Sequence, residues 1–171
     1  GFIALTAGNR SYANVHARLS GAGALIDLVH KKGDGARDTL ELQQTDLNLK
    51  YLRTLTDNQA ITARLNYLRE DSQVGYSGIT EAELRNFGPD YGFDQNADFE
   101  IERFGGSLTH EWFLSDATTL STNVYAFRFD RDWWRQSSTS TDTQCGTAFR
   151  DARLRGERVN FDSCNSAQGR L

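Results

Sequence analysis

Apolar and polar residues alternate along much of this chain. In SYANVHARL (11–19), Ala13, Val15, Ala17 and Leu19 are apolar, whereas Asn14, His16 and Arg18 are polar. In TDLNLKYL (45–52), Thr45, Leu47, Leu49 and Tyr51 oppose Asp46, Asn48 and Lys50. In AITARLNYLR (60–69), Ile61, Ala63, Leu65 and Tyr67 oppose Thr62, Arg64 and Asn66. A period of two places each set on its own face of a β-strand. Looser alternation recurs at 2–8, 23–32, 99–112 and 119–130. The pattern therefore predicts an all-β chain of about seven strands.

The connections alternate as well. SGAG (20–23), LTDNQ (55–59) and FLSDAT (113–118) are short polar turns. Longer excursions lie between them: KGDGARDT (33–39 and its flanks), the stretch from Asp71 to Asp98, and everything beyond Arg131. GNRS (8–11) is the one short connection on that second side. Up-and-down strands joined this way have tight turns at one end and long loops at the other. Within the 71–98 excursion, TEAELRN (80–86) reads as a helical turn.

Soluble antiparallel sheets alternate in the same way, so a soluble β-rich ligand- or sugar-binding module is the competing reading. Two features favour a membrane barrel. One face carries His16, Arg18, Asp46, Lys50 and Arg64, whereas the other is almost free of charge. Most of the expected strands also exceed the five or six residues usual in globular sheets. Membrane barrels show this combination, with short turns at one rim and long loops at the other.

Composition narrows the picture. The chain has 171 residues, a net charge of −4, one Pro and no Met, and the missing Met suggests an internal fragment of a longer protein. No apolar run is long enough for a transmembrane helix, and no charged-then-apolar leader is visible. Arginine dominates the basic residues, 16 against 3 Lys, and its planar fork suits carboxylates better than lysine does. Cys145 and Cys164 enclose a loop-like stretch. They read either as a disulfide in an oxidising compartment or as two unrelated thiols.

Several local sequences resemble a known family. HKKGDGARD (30–38), YLREDSQVGYSGITEAEL (67–84), ERFGGSLTHEW (102–112) and FDRDWWRQSS (129–138) look like parts of the barrel of TonB-dependent outer-membrane receptors. They are most similar to the ferric-citrate-type branch, in which such motifs follow in this order. The resemblance covers residues 20–138 and leaves the tail from 139 unplaced. It implies an antiparallel up-and-down segment of a transmembrane β-barrel in a bacterial outer membrane. Loops near 33–40, 71–98 and 131–171 would be extracellular, and 55–59 and 113–118 periplasmic. Receptor barrels of this kind have about 22 strands around a plug, so seven strands would form part of the wall. Contact with the TonB complex would run through a plug domain outside these residues.

The implied activity is uptake of a ferric chelate, iron-citrate or a similar siderophore, with outer-membrane lipid around the barrel. An anionic chelate calls for arginines near the extracellular strand ends, where guanidinium groups fork onto carboxylate oxygens. The candidates are Arg37, Arg69, Arg103, Arg128, Arg131 and Arg135, with Arg37 and Arg69 inside the matching motifs. Tyr76 and Trp134 are candidate contacts beside them. Each arginine has acids nearby, so ordinary surface pairing (Arg37 with Asp38, Arg69 with Glu70, Arg131 with Asp130 or Asp132) is the competing role. Tyr125, Phe127, Phe129 and Trp133 share one parity and form a candidate membrane girdle.

Other chemistries have little support. His16, His30 and His110 sit in separate strands without zinc-ligand spacing. Ser72 lacks a nucleophile-elbow context. No enzyme activity, cofactor or metal is expected. RDARLRGERV (150–159) holds four arginines, but Asp151 and Glu157 dilute them in an acidic chain, so no nucleic-acid partner is expected. The 71–98 excursion, with Glu81, Glu83 and Asp90 among its acids, reads as a solvated acidic lid.

Overall fold

The computed structural model describes residues 1–75, 78–93, 97–134 and 146–159. Seven antiparallel strands form one sheet: β1 (Phe2–Ala7), β2 (Ala13–Gly21), β3 (Ala24–Asp34), β4 (Glu41–Thr56), β5 (Gln59–Gln73), β6 (Asp98–Ser115) and β7 (Thr118–Trp133). Each strand pairs with its neighbours in sequence, in the order β1 to β7. The sheet is an open meander with β1 and β7 at its edges, so the expected strand content and topology are present without barrel closure. Two short helices complete the described elements, α1 (Glu81–Phe87) and α2 (Gly146–Arg155). The expected helical turn at 80–86 is α1.

The tight turns follow from local backbone chemistry. Between β1 and β2, Arg10 and Ser11 both take positive φ (56° and 55°), and Tyr12 N donates to Asn9 O at 3.2 Å. Between β2 and β3, Ala22 and Gly23 do the same (49° and 80°). Two successive positive φ values are the mark of the turn whose twist matches paired strands. Gly23 is required twice over, because it takes a left-handed φ of 80° and a Cβ there would run into the Leu52 carbonyl; its own carbonyl accepts from Leu52 N at 2.7 Å.

By its contacts the chain divides into two compact units. The first comprises Gly1–Lys31, Gln44–Glu70 and Ile101–Asp130, the long middle stretches of the strands. Its faces are fixed by pairing. In the β1–β2 register Ile3 faces Ala17 and Leu5 faces Val15, whereas Phe2 faces Arg18 and Ala4 faces His16. Further along, side-chain contacts assign the faces: His16 and Arg18 to Asp27, Gln44 to Glu70, Thr109 to Asn123. A Cβ on Gly106 would meet the Leu65 side chain, and one on Gly105 would meet Asn66 and Phe127. Alternation then gives one face with Ile3, Leu5, Val15, Leu65, Leu108 and Val124. The opposite face carries His16, Arg18, Asp27, Asp46, Arg64, Asn66, Thr109 and Asn123.

None of the fully buried apolar residues among those described belongs to this first unit. Ile3 and Leu5 are 71% and 75% exposed. Among its described residues the buried polar side chain is that of Thr62.

The second unit comprises Lys32–Gln43, Asp71–Glu100 and Arg131–Leu171. It holds the described apolar core, Tyr91, Phe93 and Phe149, with Ile79, Phe87 and Val159 packed against it. Thr39 lies so close to Gly92 that a side chain there would collide with it, and Asp38 N donates to Asp90 O at 2.8 Å. The β3–β4 turn is thereby tied to the 71–98 segment.

Candidate functional site

On the polar face of the first unit, β2 and β3 build a compact charged group. His16 Nε2 lies 3.1 Å from Asp27 Oδ1, and Arg18 Nε lies 3.1 Å from Asp27 Oδ2. Phe2 meets the His16 ring edge-on, with centroids 4.9 Å apart. Asp27 accepts from two donors at once, and all three polar side chains are at least partly open to solvent. On the other face, His30 Nδ1 sits 2.8 Å from Thr45 Oγ1 and His110 Nε2 sits 3.1 Å from Gln59 Oε1. The three histidines are held apart, and no cluster suited to a metal ion occurs among the described residues.

The arginines singled out in the sequence are divided between the two units, Arg69, Arg103 and Arg128 in the first and Arg37 and Arg131 in the second. Arg37 is half-buried in the β3–β4 turn, where its carbonyl accepts from Leu40 N at 3.0 Å, and it is engaged in further interaction. Arg69 and Arg103 are exposed on their strands. Arg69 shares the parity of Leu65 and lies on the apolar face, whereas Arg103 shares that of Gly105 and lies on the polar face. Glu70, the acid beside Arg69, accepts from Gln44 Nε2 at 3.2 Å. Arg128 pairs with Asp130 at 2.7 Å in solvent. Arg131 stands 5.8 Å from the Trp133 ring centre.

Trp133 and Trp134 are both half-buried. Trp133 meets Phe99 edge-on with centroids 5.8 Å apart, and Trp134 N donates to Asp98 O at 2.7 Å. Tyr125, Phe127 and Phe129 are exposed, at 68%, 70% and 49%. They lie on the face of Asn66, Thr109 and Asn123, the polar face rather than the one carrying Leu65 and Leu108. The row therefore lies on the opposite side of the sheet from Leu65 and Leu108. Tyr76, Arg135 and the cysteines Cys145 and Cys164 lie outside the described residues.

The second unit contains a site that sequence reasoning missed. Glu83 and Arg153 are both almost fully buried and form a two-pronged ion pair, Nε to Oε1 at 2.7 Å and Nη2 to Oε2 at 2.9 Å. Arg153 Nη2 also donates to Gly78 O at 2.8 Å, and its guanidinium stacks 3.3 Å from the Phe93 ring centre. Glu83 has a second duty. Thr80 caps α1, accepting from Glu83 N through its hydroxyl at 3.1 Å, while Thr80 N donates to Glu83 Oε2 at 2.7 Å. This reciprocal arrangement is a capping box. The Thr80 hydroxyl in turn donates to Arg153 O at 2.9 Å. Thus the acidic excursion and the arginine-rich segment, read separately in the sequence, satisfy one another here.

Beside this pair, burial holds the Tyr91 phenol above its ordinary pKa, and the negative Glu83 adds to the shift. Arg158 stacks on Phe87 and Tyr91 at 4.8 and 5.6 Å. Arg155 forks onto the exposed Glu157 at 2.7 and 2.9 Å. That hydrogen bond draws the Glu157 carboxyl below its usual pKa. All four arginines in 150–159 are therefore engaged by acids or aromatic rings, Arg150 through Asp151 at 3.0 Å.

No described helix is long and apolar enough to cross a membrane, a criterion that does not bear on strands. Comparison with protein families, curated proteins and solved structures finds no match to this chain.

Proposed function

We propose that this chain is part of the barrel wall of a TonB-dependent outer-membrane receptor that binds and imports a ferric chelate, iron-citrate or a similar anionic siderophore. The observation that carries the reading is the first unit itself. Its sheet has one face of exposed Ile3, Leu5, Leu65, Leu108 and Val124, and none of the described buried apolar residues lies there. Water disfavours such a surface by about 25 cal/mol per Å² of apolar area, and large exposed apolar patches mark membrane or partner contacts. Hydrocarbon is a suitable solvent for that face, and strands whose backbone groups are paired laterally can span it. The sequence motifs at 30–38, 67–84, 102–112 and 129–138 supply the finer, family-level part of the proposal.

In this role, Arg103 on the polar face of the first unit is the arginine best placed for an anionic chelate, and Arg37 in the second unit is a separate candidate. Arg69 and Arg128 lie on the apolar face, which suits them less. The coding sequence on either side tests the assignment. A plug-like domain upstream and further alternating strands downstream are expected, whereas a stop codon close to residue 171 would overturn it. In the complete receptor, replacing Arg103 by Ala is expected to weaken ferric-citrate binding at least tenfold, and unchanged affinity would remove it from the site.

One feature favours the second reading, a soluble β-rich ligand- or sugar-binding module. Tyr125, Phe127 and Phe129 form an exposed aromatic row beside the hydrogen-bonding side chains of Asn66, Thr109 and Asn123. Amphipathic rings next to amides and hydroxyls suit sugar faces. A chain that stays monodisperse and folds cooperatively without detergent would support this reading over the membrane one.

A further inference from the structure

We infer that Glu83 and Arg153 form a clasp that makes the two helices of the second unit one cooperative element, with α1 folded only while α2 is docked. Three observations lead there. First, α1 has seven residues, far short of the roughly 12–15 that an isolated helix needs to persist in water. Second, one carboxylate serves both structures: Glu83 Oε2 accepts from Thr80 N, closing the cap of α1, and from Arg153 Nη2 of α2. Losing Arg153 would leave that carboxylate buried with an uncompensated charge, the costly half of a buried pair. Third, the junction has further interlocking points. The Thr80 hydroxyl donates to Arg153 O, and Asn86 Nδ2 donates to Gly156 O at 2.9 Å.

The end of α2 is shaped for this docking. Gly156 N donates to Arg153 O at 2.9 Å and Glu157 N to Ala152 O at 3.0 Å, with Gly156 at φ 71°. This is the Schellman arrangement that glycine favours. A Cβ at Gly156 would approach Asn86 Nδ2 to 2.5 Å and Ala82 O to 2.8 Å, both on α1. The same glycine therefore terminates one helix and admits the other. Segments 70 residues apart in sequence open and close as one device. Were both segments to border a ligand, they would move as one lid rather than as two independent loops. The clasp does not depend on the transport proposal, since it would hold equally in a soluble domain.

Amide hydrogen exchange on the whole 171-residue chain, in detergent micelles and again in buffer, tests this. In the unaltered protein, the amides of Leu84 and Gly88 in α1 and of Gly156 and Glu157 at the end of α2 are expected to open at the same denaturant concentration with the same slope. In Arg153→Met, exchange at Leu84 and Gly88 is expected to rise at least tenfold, while Leu52, bonded to Gly23 within the sheet, keeps its rate. Different opening midpoints for the two helices in the unaltered chain would overturn the proposal. So would an Arg153→Met variant in which Leu84 and Gly88 keep their protection, or one in which Leu52 loses its protection with them.

Discussion

The Thr109 hydroxyl and the Asn123 side-chain oxygen lie 3.0 Å apart across β6 and β7, and this contact fixes which way the last strand faces. Tyr125, Phe127 and Phe129 follow Asn123 at every second position and share its side of the sheet. Val124 and Ala126 turn to the other side, with Leu108. Single cysteines at neighbouring positions read this directly. In a membrane-inserted chain, Val124→Cys is expected to resist a water-soluble maleimide, whereas Tyr125→Cys reacts at least tenfold faster. Equal protection of both would contradict the assignment of faces.

The β2–β3 turn places an alanine at φ 49°, a conformation that disfavours residues bearing a Cβ. Ala22→Gly is expected to stabilise the chain by about 0.5–1 kcal/mol, since the gain from relieved strain exceeds the added freedom of the unfolded chain. Gly23→Ala is expected to destabilise by more than that, because its new methyl meets the Leu52 carbonyl. Paired urea titrations of the two variants would show opposite shifts in midpoint. Shifts of the same sign would rule out the proposed turn geometry.

Gly156 offers a similar test in the second unit. Gly156→Ala is expected to lower stability by about 1–3 kcal/mol, combining a strained left-handed residue with crowding against α1. Thermal unfolding followed by circular dichroism measures it. An unchanged melting temperature would mean that α2 does not dock where the structure places it.

The Tyr91 phenol is held above its ordinary pKa by burial and by Glu83. A group whose pKa is raised on folding adds stability below its unfolded value, near 10 for tyrosine, and that stability disappears as the pH rises through the folded value. The unaltered chain should therefore lose stability more steeply than Tyr91→Phe on the alkaline side of that unfolded value, with the two curves parallel at neutral pH. Denaturation across an alkaline pH series checks this, and parallel curves throughout would refute it.

The strands were legible because period-two alternation is a local signal. Each of the seven alternating segments becomes a strand, and the helical turn at 80–86 becomes α1. The face of β7 was harder to read. A strand with Tyr125, Phe127 and Phe129 at odd positions and Val124 and Ala126 at even ones is apolar on both sides, so pattern alone cannot say which side joins the apolar surface. Cross-strand contacts decide it, Thr109 with Asn123 and Gly105 with Phe127. The ion pair in the second unit was hidden for another reason. Thr80 and Glu83 already showed the spacing of a capping box, but the partner of that carboxylate lies 70 residues away. Nothing local to Arg153 distinguishes it from Arg150, Arg155 and Arg158. Helix α2 itself was not foreseen, because its segment has no strong apolar period.

Because every strand pairs with its neighbour in sequence, the sheet can grow by adding one hairpin at a time, and every hairpin but β5–β6 closes a short loop at small entropic cost. The Glu83–Arg153 clasp is different, because its second half is not present until the chain has passed β7. During synthesis the clasp would therefore form only after the strands on either side of α1 have paired, and in refolding the 70-residue separation of its halves makes it the slower step. Pulsed exchange during refolding should show protection at Leu52 before it appears at Leu84, and the reverse order would refute this sequence of assembly.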